Sequence, residues 1–434
     1  MTADLEARVA SKLTWRILPF VMLLYFVSFL DRVNVGFAAF SMNHALGLTP
    51  AMFGLGGGIF FIGYFLFEVP SNLILNRVGA RIWIARVMVT WGLVSAASAF
   101  VTGPTSFYAL RFLLGVAEAG FFPGVILYLS QWFPTRQRAM AAAVFMAAAP
   151  LSSALGSPVS GAVMELPRLL GLANWQWLFV IEAVPALLLG FAVLKVLIDR
   201  PEQAKWLEPD EREWLLATLR EESRARDAHA GHVAGALRAL ADPRVLALAL
   251  IYFGTSAGLY TLGIWAPLMI REFGFSALGT GLINAIPNVL AIVGMIVWAR
   301  HSDRSKERTW HIIVPCLVAA AGLAFAGIAQ TVVGVVAALV LVNVGISSAK
   351  APLWAMPASF LSGAGAAAGI AMTNSIGNLG GFVGPFVIGW LKSRTGGYAG
   401  GLYVVAAFLV LSAALTLLMS LRDVRRAAVP HTGA

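Results

Sequence analysis

Two charged residues, Asp31 and Arg32, lie side by side inside an apolar run that covers residues 17–40. A run of this length can cross a bilayer as one helix, which takes about 20 residues. A charge in the middle of such a helix costs roughly 2.5–3.5 kcal/mol on insertion scales, so buried charges in membrane helices usually bind protons, ions or substrate. The pair therefore indicates a path for a solute or a proton across a membrane.

A second charged pair, Arg111 and Glu118, lies seven residues apart in another apolar run and so shares one helix face. The two backbones are about 10 Å apart along the helix axis, which leaves room for a bound carboxylate or a side chain from the first run. Asp31 and Glu118 are candidate proton carriers, because a carboxylate in a low dielectric resists ionisation. Arg32 is a candidate carboxylate clamp, since a guanidinium donates two parallel hydrogen bonds. The alternative is a permanent Arg111–Glu118 salt bridge that only joins helices.

The composition is that of a membrane protein. Hydrophobic residues make up 59% of the 434 residues and charged residues only 12%, about half the share of a soluble domain. The net charge of +10 comes from basic residues in short loops and not from one patch, so we expect no nucleic-acid partner. The six histidines lie at or beyond the ends of apolar runs, and no metal cluster or nucleophile–base pair is present. We therefore expect no metal, no cofactor and no enzymatic activity.

The charged residues must be positioned by twelve apolar segments, each long enough for a membrane helix. Their approximate bounds are 17–39, 53–75, 82–102, 106–129, 140–163, 177–198, 244–269, 278–299, 311–329, 332–360, 366–391 and 401–421. The sequence predicts an all-α membrane protein with twelve transmembrane helices in two pseudo-symmetric six-helix bundles. The bundles comprise residues 1–198 and 244–434. A polar cytoplasmic loop, 199–243, joins them and contains a predicted surface helix with an apolar stripe.

Charge and repetition support this organisation. Lys and Arg concentrate in the loops on one side of the predicted membrane, which places both termini in the cytoplasm by the positive-inside rule. Arg77 and Arg304 are 227 residues apart, and so are Trp83 and Trp310. A shared period of half the chain is typical of a duplicated transporter bundle.

Six segments together resemble the major facilitator superfamily, and within it the anion:cation symporter family, most closely its tartrate and phthalate permease branch. They are residues 30–38, 67–72, 111–124, 175–182, 199–207 and 374–385. The resemblance implies the major facilitator fold, a bacterial inner membrane, and uptake of organic anions together with protons. We expect a monomer.

The resemblance also implies roles for individual residues. Positions that match Asp31 and Glu118 are proton sites in similar galactonate transporters, and the position that matches Arg32 meets the substrate. Residues in the matching positions of four others line the pathway: Arg111, Tyr64, Trp354 and Asn374. Lys350 is an additional cation that we expect either to meet a second carboxylate or to extend to the membrane interface.

Other charged residues are interpreted as structural or gating. Glu68 and Glu182 lie near helix ends and are expected to cap or bond a neighbouring helix. Four residues lie in loops that resemble the gating motif of the superfamily and are expected to hold helix ends together in one state: Arg77, Arg81, Asp303 and Arg304.

These features favour a secondary active transporter that takes up an organic anion by proton symport with alternating access. Phe29 replaces a tyrosine of the galactonate-type members, and residues 147–150 lack their polar contact. Fewer hydroxyl partners favour a tartrate-like, phthalate-like or other aromatic or short-chain acid over a sugar acid. A proton-coupled drug or metabolite efflux antiporter of the same fold is the alternative, and a passive facilitator is a further one.

Overall fold

The computed structural model describes residues 2–229, 241–357 and 363–428 and shows an α-helical protein. The helices, in chain order, are α1 (Thr2–Val33), α2 (Val35–Ala45), α3 (Pro50–Val78), α4 (Ala80–Ala97), α5 (Pro104–Glu118), α6 (Phe121–Trp132), α7 (Thr135–Met146), α8 (Ala148–Val163), α9 (Asn174–Val196), α10 (Pro209–His229), α11 (Pro243–Arg271), α12 (Ala277–Ser305), α13 (Thr309–Ala326), α14 (Val332–Ala355), α15 (Gly363–Asn378), α16 (Gly380–Thr395) and α17 (Ala399–Ala428). Two short 3-10 turns, Ser98–Phe100 and Pro201–Gln203, follow α4 and α9.

Within these described ranges, eleven helical segments are long and apolar enough to cross a membrane. The twelfth predicted segment, 366–391, forms two consecutive helices, α15 and α16, of 16 residues each. The prediction of an all-α membrane fold is confirmed.

Four predicted continuous helices contain an irregularity, which corrects the sequence-based picture. The largest is between α5 and α6, where Gly120 has a φ of +84° that favours glycine. The Ser71 hydroxyl donates a 2.7 Å hydrogen bond to the carbonyl of Ala119 at this break. The other three are single-residue interruptions at Asn34, Ala147 and Leu379, where the backbone stays in the right-handed helical region.

The chain forms two compact units. Unit 1 comprises Met1–Leu48, Ile59–Ala230 and Ser276–Gly281. Unit 2 comprises Thr49–Gly58, Gly231–Phe275 and Leu282–Ala434. The start of α3 therefore belongs to unit 2 and the start of α12 to unit 1. The domain boundaries proposed from the sequence, 1–198, 199–243 and 244–434, stay a prediction.

Glycines at the start of α3 and at the start of α12 make equivalent contacts in the two units. In unit 2, a Cβ at Gly54 would lie 2.6 Å from the carbonyl oxygen of Pro385. In unit 1, a Cβ at Gly281 would overlap the carbonyl oxygen of Ser157 and lie 3.0 Å from the Cα of Pro158. Gly54 and Gly281 are 227 residues apart, and so are Pro158 and Pro385. The repeat seen in the sequence thus recurs as the same close helix packing.

Glycines also bring α3 against α5 inside unit 1. A Cβ at Gly63 would overlap the carbonyl oxygen of Phe112, and one at Gly115 would overlap the carbonyl oxygen of Phe60. The two backbones can approach this closely only without side chains at the crossing. As a result, Phe60 on α3 is carried next to the charged residues of α5.

Helix α10 confirms the surface helix that the sequence predicts in the central loop. Its Leu215 is fully buried, and its acidic residues bond to unit 1. Lys12 Nζ lies 2.7 Å from Glu211 Oε2, and Arg138 donates a 3.0 Å hydrogen bond to Glu222. The part of the predicted loop at 230–240 lies outside the described residues.

We predict that Gly115→Ala destabilises the protein by about 1–3 kcal/mol, because a methyl group at the α3–α5 crossing forces the helices apart. Thermal or denaturant unfolding of the purified protein measures the change. Gly103→Ala is the matched control, since no heavy atom lies within 4 Å of a Cβ at that position. Equal stability of the two variants would contradict the proposed crossing.

Candidate functional site

A buried ion pair between α1 and α5 forms the centre of the candidate site. Arg32 Nε donates a 2.8 Å hydrogen bond to Glu118 Oε1, and the hydroxyl of Ser28 donates a short hydrogen bond to the same oxygen. The side chains of Arg32 and Glu118 are only 6% and 1% exposed. The side chain that meets Glu118 therefore comes from the first helix, one of the two possibilities that the sequence left open.

Asp31 precedes Arg32 on the same helix and is hydrogen-bonded by neutral donors. Trp91 Nε1 donates to Asp31 Oδ2 at 3.0 Å, and the Ser95 hydroxyl donates to Asp31 Oδ1 at 2.9 Å. The side-chain amide of Asn34 lies 3.4 Å from the same Oδ1. Asp31 is 2% exposed, so this carboxyl group interacts with protein side chains and not with bulk solvent.

Arg111 and Tyr64 complete the cluster through aromatic rings. The Arg111 guanidinium lies 5.4 Å from the centre of the Phe60 ring, and the Arg32 guanidinium lies 5.6 Å from the same centre. The Arg32 guanidinium is also 5.1 Å from the centre of the Tyr64 ring. A cation within about 6 Å of a ring centre is attracted by the ring quadrupole. Phe60 thus lies within about 6 Å of two buried cations.

Local irregularities place these side chains in the bundle. Glu118 is the last residue of α5, and the break at Gly120 follows it directly. Asp31 and Arg32 lie in the last turn of α1, just before the interruption at Asn34. Irregular backbone at membrane depth is tolerated where the protein itself satisfies the freed polar groups.

The structure therefore brings together five of the predicted site residues in unit 1, each at most 6% exposed. They are Asp31, Arg32, Tyr64, Arg111 and Glu118.

The other three candidate substrate residues belong to unit 2. Lys350 and Trp354 lie on α14 and are half-buried, whereas Asn374 lies on α15 and is buried. The ring of Trp354 packs edge-on against Tyr252, with ring centres 5.0 Å apart.

The residues interpreted as structural or gating occupy several places. Glu68 is buried, and Glu182 accepts a 2.6 Å hydrogen bond from the hydroxyl of Ser160 on a neighbouring helix. The backbone N–H of Arg81 donates to Asp199, and Asp303 forms a 2.8 Å ion pair with Arg308. The side chains of Arg77 and Arg304 are exposed.

Sequence reasoning missed the polar residues that hold the carboxyl groups. Ser28 precedes Asp31 by three residues, so the two lie close along the same helix. Trp91 and Ser95 are four residues apart, which places them on one face of α4. The four-residue spacing of Trp91 and Ser95 in an apolar segment was the sequence signal for their contact with Asp31. The sequence could not show that Arg32 hydrogen-bonds Glu118.

This arrangement can exchange a carboxylate and protons. A guanidinium that binds one carboxylate can bind another in its place, and a buried carboxylate that loses its cation avoids a large desolvation cost by taking up a proton. In the part of the chain that the structure describes, no group of three His, Cys, Asp or Glu side chains is placed to hold a metal ion.

Several known proteins are similar to this chain. The sequence profile of the Major Facilitator Superfamily matches residues 21–385. A protein of Agrobacterium vitis named "Putative tartrate transporter" is 66% identical over 97% of this chain and 96% of its own length. The "Quinolone resistance transporter" of Acinetobacter baumannii is 41% identical over 96% of both chains.

A solved structure shares the fold at low sequence identity. The bacterial homologue of the human lysosomal transporter Spinster superposes with a TM-score of 0.77. The match covers 97% of this chain and 99% of that chain at 17% identity.

We predict that Glu118→Gln destabilises the protein by about 3–5 kcal/mol, because Arg32 loses the negative charge of its carboxylate partner inside the bundle. Arg136→Gln is the control, since the Arg136 side chain is 84% exposed in its 3.5 Å pair with Glu6. The control should change stability by at most about 1 kcal/mol. Denaturant unfolding measures the free energy of unfolding of both variants. If Glu118→Gln were as stable as the control, the buried ion pair would not stabilise the protein as predicted.

Proposed function

Because the chain belongs to the major facilitator superfamily of membrane transporters, we propose that it takes up a small organic anion together with protons. The observation that carries this proposal is the buried cluster of two arginines and two carboxyl groups in unit 1. The arginines supply the attraction for an anion, and the carboxyl groups supply sites for protons.

Substrate and proton binding are coupled in this proposal through Arg32. A substrate carboxylate takes the place of Glu118 on the Arg32 guanidinium, and Glu118 then takes up a proton. Arg111, close to the Phe60 ring, adds a second positive charge near the anion. Asp31 binds its proton in the pocket made by Trp91 and Ser95.

Protonation solves the electrostatic problem of anion uptake. An interior-negative membrane potential opposes the entry of each negative charge by about 2.3 kcal/mol per 100 mV. One proton per substrate charge cancels this cost, and one further proton makes the potential drive uptake. The loaded site then passes the closed intermediate of an alternating-access cycle with little net charge.

The remaining candidate residues have proposed roles in the same cycle. Lys350, Trp354 and Asn374 of unit 2 contact the substrate. Four residues act in gating: Arg77, Arg81, Asp303 and Arg304. Glu68 and Glu182 stabilise helix packing.

We place the protein in a bacterial inner membrane with both termini in the cytoplasm. The distribution of basic residues supports this orientation. The relatives with tartrate and quinolone resistance in their names are bacterial.

The substrate class that we favour is a hydroxydicarboxylate or a related short or aromatic acid. The support is the 66% identity to the A. vitis protein with tartrate in its name. Two arginines in one buried cluster suit an anion with two carboxylates. The anion:cation symporter branch of the superfamily is the corresponding proposed subfamily.

Efflux of a drug or metabolite in exchange for protons is the second candidate function. The 41% identical relative with quinolone resistance in its name supports it. Paired transport assays separate the two: symport predicts uptake of radiolabelled L-tartrate that accelerates with an inward proton gradient. Antiport predicts instead that a fluoroquinolone leaves loaded vesicles as protons enter them, and that tartrate is not taken up.

We predict that Asp31→Asn abolishes proton-driven accumulation but spares part of the substrate exchange, because the amide cannot bind and release a proton. In vesicles with a gradient of 1 pH unit, one coupled proton supports about tenfold accumulation. The variant should equilibrate the labelled acid at a ratio of about 1 under the same gradient.

Asp4→Asn is the matched control for this experiment. Asp4 lies on the same helix, but its side chain is 82% exposed, so the variant should accumulate substrate like the unmodified protein. Concentrative uptake that survives in Asp31→Asn would remove Asp31 from the coupling mechanism.

A further inference from the structure

Unit 1 contains a cavity of about 770 Å³ that is separate from the charged cluster. The end of α3, the start of α4, part of α6, the segment after α9 and one face of α10 form its walls. The proposed transport cycle uses this cavity for neither substrate nor protons.

Three arginines from three different segments line this cavity. They are Arg77 at the end of α3, Arg200 after α9 and Arg220 on α10, and all three are exposed. Among the described residues, none of these guanidiniums forms a hydrogen bond or an ion pair. Their donors therefore remain available to a ligand.

Two acidic residues also line the cavity, and they do not cancel the three positive charges. Asp199 accepts a 2.9 Å hydrogen bond from the backbone N–H of Arg81, so its carboxylate is used at the N-terminus of α4. Glu202 is exposed on the adjoining 3-10 turn. The lining therefore has one more positive than negative charge, and the positive end of the α4 dipole adds to it.

The cavity has an apolar part as well. Leu75 on α3, Leu127 on α6 and the α10 residues Leu216 and Leu219 line it. Large apolar side chains on the outside of the same region are exposed, including Leu73 at 61% and Ile82 at 53%. A cavity lined by both guanidiniums and leucines fits a molecule that is anionic at one end and apolar at the other.

We propose that this cavity binds the phosphate of an anionic phospholipid. Guanidiniums bind phosphate oxygens through two parallel hydrogen bonds, which accounts for arginine and not lysine at these positions. The leucines contact the glycerol and the first methylene groups. The lipid would hold α10 against the end of the bundle, because Arg220 and both lining leucines of α10 would contact it.

Native mass spectrometry of the full-length protein tests this proposal. The protein is purified in detergent and incubated with equal amounts of phosphatidylglycerol and phosphatidylcholine. The unmodified protein should retain phosphatidylglycerol preferentially. The triple variant Arg77→Gln, Arg200→Gln, Arg220→Gln should retain at least about tenfold less of it, since each arginine contributes a hydrogen bond to a charged group.

A matched variant removes three positive charges that do not line the cavity: Lys195→Gln, Lys205→Gln, Arg224→Gln. It should bind phosphatidylglycerol like the unmodified protein. Equal retention in the cavity variant and the unmodified protein would overturn the proposal. An equal loss in both triple variants would also overturn it, because it would show general charge attraction.

A cavity-filling variant and a competition experiment complete the test. Leu219→Trp fills the cavity without a change of charge and should also lose the lipid, which covers the case in which the triple variant does not fold. Glycerol 3-phosphate distinguishes a free phosphate from a lipid phosphate. If it displaces phosphatidylglycerol at equal concentration, the cavity is a site for soluble phosphates and the lipid assignment is wrong.

Discussion

The ion pair between Arg32 and Glu118 is the interaction on which the candidate site depends. A guanidinium and a carboxylate that are almost fully buried must stay paired or change protonation, because either charge alone is costly in a low dielectric. Asp31 and Arg111, equally buried nearby, extend this constraint to four groups. Any anion that binds here must therefore rearrange charges and protons together, which is the physical basis of the proposed coupled transport.

The packing of unit 1 serves this constraint. Gly63 and Gly115 let α3 and α5 touch, so that the Phe60 ring lies close to both guanidiniums. The break at Gly120 ends α5 at Glu118. Trp91 and Ser95 of α4 supply neutral hydrogen-bond donors for Asp31. Small residues, aromatic rings and hydroxyl groups thus replace the water that would otherwise solvate these charges.

Much of this architecture could be predicted from the sequence. The length of the apolar segments follows from the thickness of the bilayer, the basic loops follow from the positive-inside rule, and the 227-residue repeat is typical of a duplicated bundle. The burial of Asp31, Arg32, Arg111 and Glu118 followed from the cost of charge in lipid. Their pairing did not, since it depends on where α1 and α5 cross. Trp91 and Ser95 share a helix face at four-residue spacing, but this pattern does not say which carboxyl group they contact, because that depends on how α1 and α4 pack. The helix interruptions at Asn34, Ala147 and Leu379 were also not predicted from the sequence.

Proton uptake on substrate binding tests the central claim most directly. A small dicarboxylate is added to the purified protein in weakly buffered solution, and the change in pH is recorded against the amount of ligand bound. If the ligand carboxylate displaces Glu118 from Arg32, about one proton is taken up per molecule bound, and Glu118→Gln abolishes that uptake. Saturable binding of the dicarboxylate with no change in proton content would contradict the coupling of anion and proton at this site.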